Sequence, residues 1–211
     1  MTLNTLEPAQ LRLVLASTSR YRAALLKRLT PNFCCISPKV DETPLPDELP
    51  EALAVRLACA KSQAVAAHAG HDALVIGSDQ VLACEGQALG KPEAHAPALA
   101  MLRRLSGREA VFHTAVCVTD TRTGSAIPFV DRWHVRYRRL SDADIERYLA
   151  LDAPFDCAGA IRTEAHGALL LDKIEGGDPS ALIGLPLVPL AVCLRSLGLD
   201  LLHASQSPLE A

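Results

Sequence analysis

A short apolar run followed at once by three polar residues constrains the fold of this chain more than any other feature. Ala73–Gly77 is apolar and ends in glycine, and Ser78, Asp79 and Gln80 follow it. Such a run predicts a buried strand in a sheet that is covered on both faces. In open α/β sheets, ligands bind at the carboxyl ends of the strands. Asp79 is therefore a candidate to hold a metal or accept a proton, although a single strand-end Asp more often stabilises a turn.

Charged residues elsewhere in the chain favour the catalytic role for Asp79. The helix predicted for Glu51–Ala69 leads directly into the Asp79 strand and carries Lys61 at the border of its apolar face. Lys91 follows on a loop fixed by Gly90 and a proline. Most lysines are simply exposed surface residues, but these two are placed to reach the same cleft.

A turn rich in hydroxyls and arginines near the amino terminus predicts an anion site. A strand over Leu11–Ser17 runs through Ser19 into a helix predicted for Tyr21–Leu29, with Arg22 in its first turn. Hydroxyl groups, free backbone N–H groups and cations at a helix start bind phosphate. A serine that only caps the helix would explain one hydroxyl but not two arginines. The turn is neither a P-loop nor a Rossmann turn, since both glycine signatures are missing. Its candidate phosphate-binding residues are Ser17, Ser19 and Arg22.

The composition excludes several other functional classes. No apolar run among the 211 residues approaches the roughly 18 residues of a membrane span, and the net charge of -3 gives no basic field for a nucleic-acid polymer. Residues 1–10 carry no signal or presequence pattern. The seven cysteines are scattered without a C-x-x-C pair, so we expect reduced thiols instead of disulfides or a zinc site.

The remaining pattern predicts an α/β architecture in one domain that spans residues 1–211. The other predicted strands lie at 33–40, 81–84, 109–119, 127–138 and 168–174, and the other helices at 96–105, 141–151 and 187–197. A capping box at Ser141–Asp144 begins the second of these helices. Alternating basic residues around Trp133 predict the solvent face of an antiparallel sheet. Residues 204–211 are expected to form a disordered tail.

Seven short stretches, taken in order along the chain, resemble the Maf family of nucleoside triphosphate pyrophosphatases. They are Leu15–Ser19 with Arg22, Val40–Glu42, Lys61, Gly77–Val81, Gly90–Pro92, His113–Thr114 and Ile183–Leu187. Each stretch is weak alone, but together they span nearly the whole chain. The resemblance implies a Maf/ITPase-like fold, in which an elongated mixed β-sheet is flanked by helices and two lobes surround a cleft.

The resemblance also implies a chemistry and a cofactor. Such proteins cleave between the α- and β-phosphates of a nucleoside triphosphate with the help of a divalent cation, and they are cytoplasmic and often homodimeric. On that basis we expect Asp79 to activate the attacking water, with Lys61 and Lys91 as further catalytic residues. Mg²⁺ or Mn²⁺ is expected to bind Glu42 and Asp79. Ser17 and its neighbours in the anion site would then bind the triphosphate.

Within the family, the chain most resembles the subgroup that acts on 7-methyl-GTP. That subgroup has tyrosine, glutamine and glutamate at three specificity positions, which correspond to Tyr21, Gln80 and Glu164 of this chain. A carboxylate can accept from the guanine edge and offset the positive charge of the methylated ring, and an aromatic face attracts a cation. Arg20 and His166 depart from the family pattern, which more often has proline and a small or aliphatic residue at these positions.

The sequence leaves two alternatives open. The same chemistry could serve dTTP, UTP or another modified nucleotide, or the chain could be a nucleotide-binding regulator of cell division with little turnover. A substrate panel decides the first, and tight nucleotide binding without turnover would favour the second. The enzymatic hypotheses require Asp79, Arg22, Lys61 and Lys91 to converge on one pocket.

Overall fold

The computed structural model describes residues 11–203. The strands are β1 Arg12–Ala16, β2 Cys34–Cys35, β3 Ala73–Cys84, β4 Gln87–Leu89, β5 Glu109–Asp120, β6 Ala126–Tyr137 and β7 Leu171–Gly176. The α-helices are α1 Arg20–Lys27, α2 Pro50–Ala66, α3 His95–Leu105, α4 Asp142–Asp152 and α5 Leu187–Ser196. Three short 3-10 turns lie at Ala158–Ala160, His166–Leu170 and Pro179–Ile183.

The strands form one mixed sheet in the order β2–β1–β3–β5–β6–β7, with β4 added beside β3. The pairs among β2, β1 and β3 are parallel, and the remaining pairs are antiparallel. On one side of β3 the neighbouring strand changes along its length. β1 pairs with β3 only as far as Gly77, and β4 begins to pair at Leu82. Ser78–Val81 therefore lies beside a gap in the sheet, in the middle of the molecule.

Two hydrophobic cores lie at opposite ends of the long strands, on the same face of the sheet. Leu74 and Ile76 of β3 pack with α1 and α5, whereas Leu82 and Cys84 pack with α3 and α4. The alternate side chains of β3 point to the other face, as strand geometry requires, and that face is covered by α2. The sheet is thus flanked by helices on both faces, and its two ends form two lobes joined by uninterrupted strands.

Helix α2 approaches the sheet very closely at Gly77. A Cβ atom at Gly77 would collide with the Ala58 carbonyl oxygen and would lie 2.5 Å from the Ser62 backbone nitrogen. Pro50 begins the helix, at a position where its missing N–H is not needed. The close approach presses Lys61 onto the sheet, where it is 5% exposed. Lys61 is therefore buried within the inner face of α2, and its predicted place at the border of that face is wrong.

The position of Asp79 within its strand also differs from the prediction. The strand does not end at Gly77 but runs on to Cys84 as one element. The polar residues continue it because they keep their ladder with β5 throughout, for example Asp79 opposite Ala115. What ends at Gly77 is the parallel pairing with β1, so the predicted strand end is in fact the beginning of the gap.

Other expectations are confirmed or corrected in detail. The strand predicted at 33–40 is reduced to β2, because Pro38 lacks a backbone N–H and Lys39 has a φ of +43°. The strand predicted at 168–174 begins later, at β7, because a 3-10 turn precedes it. The capping box between Ser141 and Asp144 is confirmed, and the basic residues that alternate with the buried Trp133 are exposed, as predicted.

Three further points concern the chain as a whole. Within residues 11–203, no helix combines the length and the apolar character that are needed to cross a membrane. All seven cysteines are free. The tail predicted at 204–211 lies outside the described residues.

Candidate active site

The gap beside β3 opens into a cleft of about 360 Å³ between the two lobes. The predicted site residues that line it are Ser19, Tyr21, Arg22, Glu42, Lys61, Asp79, Gln80, Lys91 and Glu164. Ser17 lines an adjoining hollow, which shares several of these side chains. The structure therefore brings together all the residues that the sequence proposed for the site, and their individual roles stay predictions.

Lys61 lies at the centre of the charged part of the cleft. Its Nζ donates to Oδ1 of Asp79 at 2.7 Å and also lies 2.7 Å from Oε1 of Glu42. Lys61 and Asp79 are both buried, whereas the side chain of Glu42 is 54% exposed. A buried ion pair adds little net stability, because desolvation offsets the attraction between the charges. Its presence at the wall of a cleft therefore favours a chemical role.

Arg22 and Lys91 add positive charge around the two carboxylates. Burial lowers the pKa of Arg22, and the negative charges of Asp79 and Glu42 oppose that shift. Burial also raises the pKa of Glu42, but Lys61 and the two other cations outweigh burial and leave this pKa below its usual value. Around Lys61 the cleft thus gathers three cations and two carboxylates, and this local excess of positive charge suits a polyanion.

The turn before α1 is built as an N-terminal cap. Ser19 precedes the helix, and its Oγ accepts from the backbone N–H of Arg22 at 3.4 Å. The backbone N–H of Ser19 donates in turn to Oγ of Ser17 at 3.1 Å. Both hydroxyls therefore shape the turn, and they do so at the positive end of the helix dipole, beside the cations of the cleft.

Gln80 is held in one orientation by β5 and by the 3-10 turn at Pro179–Ile183. Its Nε2 donates to the carbonyl oxygens of Ala181 and Leu182 at 2.8 and 3.1 Å, and it lies 3.0 Å from Oγ1 of Thr114. Carbonyl oxygens accept only, so these contacts fix which end of the amide is the nitrogen. The remaining group, Oε1, is an acceptor. A ligand in the cleft would therefore meet Gln80 as a hydrogen-bond acceptor.

Tyr21 contacts two guanidinium groups. The Cζ atoms of Arg20 and Arg162 lie 4.8 and 5.7 Å from the centroid of its ring. Its hydroxyl accepts from Nη2 of Arg20 at 2.8 Å and donates to Oδ2 of Asp156 at 3.4 Å. The aromatic face of Tyr21 attracts cations. In this structure it already contacts the guanidinium groups of Arg20 and Arg162.

Glu164 is exposed on a loop that α4 holds in place. The backbone N–H of Arg162 donates to the hydroxyl of Tyr148 at 2.9 Å. On the other side of Glu164, Nδ1 of His166 lies 2.6 Å from Oδ1 of the buried Asp152. His166, which departs from the family pattern, therefore helps to fix the loop instead of lining the cleft.

The two carboxylates fit a divalent cation in one particular way. Each uses one oxygen on Lys61, and the second oxygens of Glu42 and Asp79 have no hydrogen bond within residues 11–203. The same range contains no group of three or more His, Cys, Asp or Glu side chains suited to a metal. Mg²⁺ commonly binds one or two carboxylates together with substrate phosphates. The donor set therefore suits a cation that is completed by a bound triphosphate.

Several residues that support the site were not predicted from the sequence. The carbonyl oxygen of Gly184 accepts from Oγ of Ser78 at 2.9 Å and from Nε of Arg22 at 3.1 Å, so it ties α1 to β3. Gly184 has a φ of +116°, which favours glycine. Asp156 and Arg162 also approach the cleft. Gly184 belongs to the matching stretch Ile183–Leu187, but Asp156 and Arg162 lie outside all seven stretches, and their contacts are made in three dimensions.

His113, which belongs to one of the matching stretches, lies away from the cleft. Nδ1 of His113 is 3.2 Å from the carboxylate of Glu51, which also pairs with Arg132. Burial lowers the pKa of His113, and the charge of Glu51 opposes this shift. Its neighbour Thr114, in contrast, supports Gln80 from the sheet. The two residues therefore serve different parts of the molecule.

Comparison with known proteins gives matches over most of the chain. A family model described as Maf-like protein matches residues 12–197. The 7-methyl-GTP pyrophosphatase of Burkholderia pseudomallei (strain 1710b) is 49% identical over 92% of this chain and 91% of that protein. The protein of the same name from Thiobacillus denitrificans is 50% identical over 90% of this chain and 94% of that protein.

A solved structure with a related description is more distant. The nucleoside-triphosphatase / dITP/XTP pyrophosphatase of Mycobacterium abscessus is 20% identical, covers 61% of this chain and 74% of that one, and has a TM-score of 0.42. The assignment of this chain depends instead on the family model and on the relatives that match along most of their length. The chain belongs to the Maf family.

Proposed function

We propose that this chain is a nucleoside triphosphate pyrophosphatase that hydrolyses 7-methyl-GTP to 7-methyl-GMP and pyrophosphate. The observation that carries the proposal is the buried Lys61–Asp79 pair at the gap in the sheet, with further cations beside it. Such a cluster combines a proton acceptor with positive charge for a polyanion. Membership of the family and the names of the relatives support the reaction and the substrate.

Asp79 acts as the general base in the proposed mechanism. Lys61 holds Oδ1, which fixes the carboxylate and leaves Oδ2 to take a proton from water. The water oxygen forms a bond to the α-phosphorus while the bond to the leaving pyrophosphate oxygen breaks. A positioned base of this kind typically contributes about 10²–10⁴ in rate.

The cations of the cleft bind and orient the triphosphate. Arg22, Lys61 and Lys91 offset its negative charge, and the turn with Ser17 and Ser19 offers hydroxyl and N–H groups. Phosphoryl transfer depends mainly on positioning and on stabilising the charge of the transition state. These residues supply both without covalent chemistry.

The base of the nucleotide binds near the three specificity residues. The ring of Tyr21 attracts a cationic base, and the carboxylate of Glu164 offsets its charge and accepts from its N–H groups. The acceptor Oε1 of Gln80 also suits a donor on guanine or ribose. Thymine and uracil present one ring N–H between two carbonyl groups, so they offer fewer donors to these acceptors. The site therefore favours a guanine nucleotide.

The cofactor, the location and the assembly complete the proposal. Glu42 and Asp79 would hold Mg²⁺ or Mn²⁺, and Oδ2 of Asp79 would keep its other lone pair for the proton of the water. When bound, such a cation polarises the phosphate and adds positive charge. A cytoplasmic location fits a substrate drawn from a nucleotide pool, and a homodimer is the expected assembly. Sedimentation equilibrium of the purified chain tests the dimer.

A substrate panel with an Asp79 variant tests the function. The wild type should release pyrophosphate from 7-methyl-GTP faster than from GTP, dTTP or UTP when Mg²⁺ or Mn²⁺ is present. Asp79→Asn should lower turnover by about 10²–10⁴, since it removes the general base. An unchanged circular dichroism spectrum would show that the variant is folded. Near-normal turnover of Asp79→Asn would remove Asp79 from the central role.

The panel also decides between the alternatives. Preference for dTTP or UTP would keep the chemistry and replace the substrate. Tight binding of a nucleotide without turnover of any panel member would favour a regulator of cell division. The buried ion pair beside the phosphate-binding groups supports catalysis over regulation, since binding alone does not require a buried proton acceptor.

A further inference from the structure

Asp156 is a carboxylate that the proposed mechanism does not use, and it lies where the two hollows of the cleft meet. Its Oδ1 accepts from Nη2 of Arg162 at 3.2 Å and from Sγ of Cys157 at 3.4 Å, and its Oδ2 accepts from the Tyr21 hydroxyl at 3.4 Å. The bonds from Arg162 and Tyr21 are at the long end for their kinds, and the side chain is 54% exposed. Asp156 can therefore exchange these partners for a ligand.

The segment that carries Asp156 is fixed to the rest of the site. The carbonyl oxygen of Phe155 accepts from the backbone N–H of Glu93 at 2.9 Å, in the loop that also carries Lys91. On the other side of Asp156, Gly159 packs so closely on β3 that a Cβ atom there would collide with a side chain of the strand. The carboxylate is therefore held at a defined distance from the phosphate-binding lysine, and little ordering is needed when a ligand binds.

The charge around Tyr21 requires a nearby carboxylate if a cationic base is to bind there. Two guanidinium groups, from Arg20 and Arg162, already contact the ring of Tyr21. A base with a positive charge would be repelled by both, whereas a neutral guanine would not. Asp156 hydrogen-bonds to Tyr21 and to Arg162, so its negative charge lies where that repulsion would arise.

We propose that Asp156 is a specificity-determining residue that contacts the positively charged ring of 7-methylguanine and so favours the methylated substrate over plain GTP. The inference rests on the proposed function and deepens it. It adds a second carboxylate, on the Tyr21 side of the base, to the one at Glu164. Glu164 then accepts from the N–H edge of the base, and Asp156 offsets the charge of its methylated edge.

Asp156→Asn tests the proposal, because it removes the charge and keeps the size of the side chain. The ratio of kcat/KM for 7-methyl-GTP to kcat/KM for GTP should fall about tenfold or more, as expected for losing a hydrogen bond or contact to a charged group. Turnover of plain GTP should be unchanged or faster. An unchanged ratio would overturn the proposal.

Asp142→Asn is the matched control. Asp142 also pairs with an arginine, at 2.8 Å from Nε of Arg103, but it is exposed on α4 away from the cleft. This variant should keep the wild-type ratio. If Asp156→Asn does not fold, Asp156→Glu and Asp156→Gln form a second pair that differs in charge alone, and the Gln variant should show the lower preference.

Binding of the products separates this inference from the proposed function. Calorimetric titration with 7-methyl-GMP and GMP needs no turnover, so it can be interpreted even if the wild type hydrolyses neither triphosphate. Asp156→Asn should weaken binding of 7-methyl-GMP about tenfold and leave binding of GMP nearly unchanged. Equal affinity of the wild type for the two products would overturn the role of Asp156, whereas absent hydrolysis alone would overturn only the enzymatic proposal.

Discussion

The ammonium group of Lys61 contacts two carboxylates, one buried and one exposed, and this contact organises the charged half of the site. Asp79 has no other ion pair within residues 11–203, so its buried charge depends on Lys61. The side chain of Glu42 can move away from Lys61 with a small loss of free energy, because water can solvate its carboxylate. At the scale of single residues, the site therefore contains one fixed carboxylate and one adaptable carboxylate.

A double-mutant cycle on the buried pair tests this dependence. Lys61→Met leaves Asp79 as an unpaired buried charge and should lower the free energy of unfolding by about 3–5 kcal/mol. In the double variant Lys61→Met/Asp79→Asn the buried charge is gone, so the loss should be smaller than in Lys61→Met alone. Urea denaturation at neutral pH measures all four proteins. Additive losses in the double variant would show that the two residues are not coupled.

The residues of the site could be predicted to different extents. Asp79, Lys61, Lys91 and Arg22 stood out because charged residues in family-like stretches are easy to recognise. Gly184 and Asp156 did not stand out. Gly184 acts through its carbonyl oxygen, and Asp156 acts through its contact with Tyr21. Neither feature leaves a pattern in the sequence.

At the scale of elements, the position of Lys61 follows from how closely α2 lies on β3. The approach is possible only because Gly77 has no side chain, and the helix backbone occupies the space where a Cβ would be. The sequence predicted both elements and placed Gly77 at the end of the apolar strand. It could not predict the packing distance between α2 and β3, which depends on contacts made in three dimensions, or the continuation of β3 through Asp79, which depends on pairing with β5.

Gly77→Ala should therefore displace α2 from the sheet. We expect a loss of roughly 1–3 kcal/mol in the free energy of unfolding, as for other overpacked positions, together with lower turnover because Lys61 shifts. Gly90→Ala is the control for stability, since within residues 11–203 no atom beyond its two chain neighbours lies within 4 Å of its added Cβ. Urea denaturation and the pyrophosphate assay provide the two readouts. Equal stability of the two variants would contradict the proposed close packing.

At the scale of the whole molecule, three long strands pass through both lobes. β3, β5 and β6 each have 12 residues, and the cores at their two ends share these strands. The resemblance predicted two lobes around a cleft, and the structure shows that they share one sheet. Because β3, β5 and β6 run through both lobes, neither lobe has a complete sheet of its own. We therefore propose that residues 11–203 fold as a single domain.

Shared strands should make the two lobes unfold together. Trp133, the only tryptophan, belongs to the core packed with α3 and α4, so its fluorescence reports on that lobe. Far-ultraviolet circular dichroism reports on both lobes. The two probes should give the same midpoint in urea, as in a two-state transition. Separate midpoints would indicate that the lobes are independent.

We expect the interrupted pairing of β3 to influence how the protein behaves in concentrated solution. An unpaired stretch of strand invites other chains to add their own strands, and this is a common route to aggregation. A strand from another molecule that paired with Ser78–Val81 would lie against the ion pair of Lys61 and Asp79. It would have to remove water from both charges. The groups that equip the cleft for a nucleotide therefore also keep neighbouring molecules from joining the sheet.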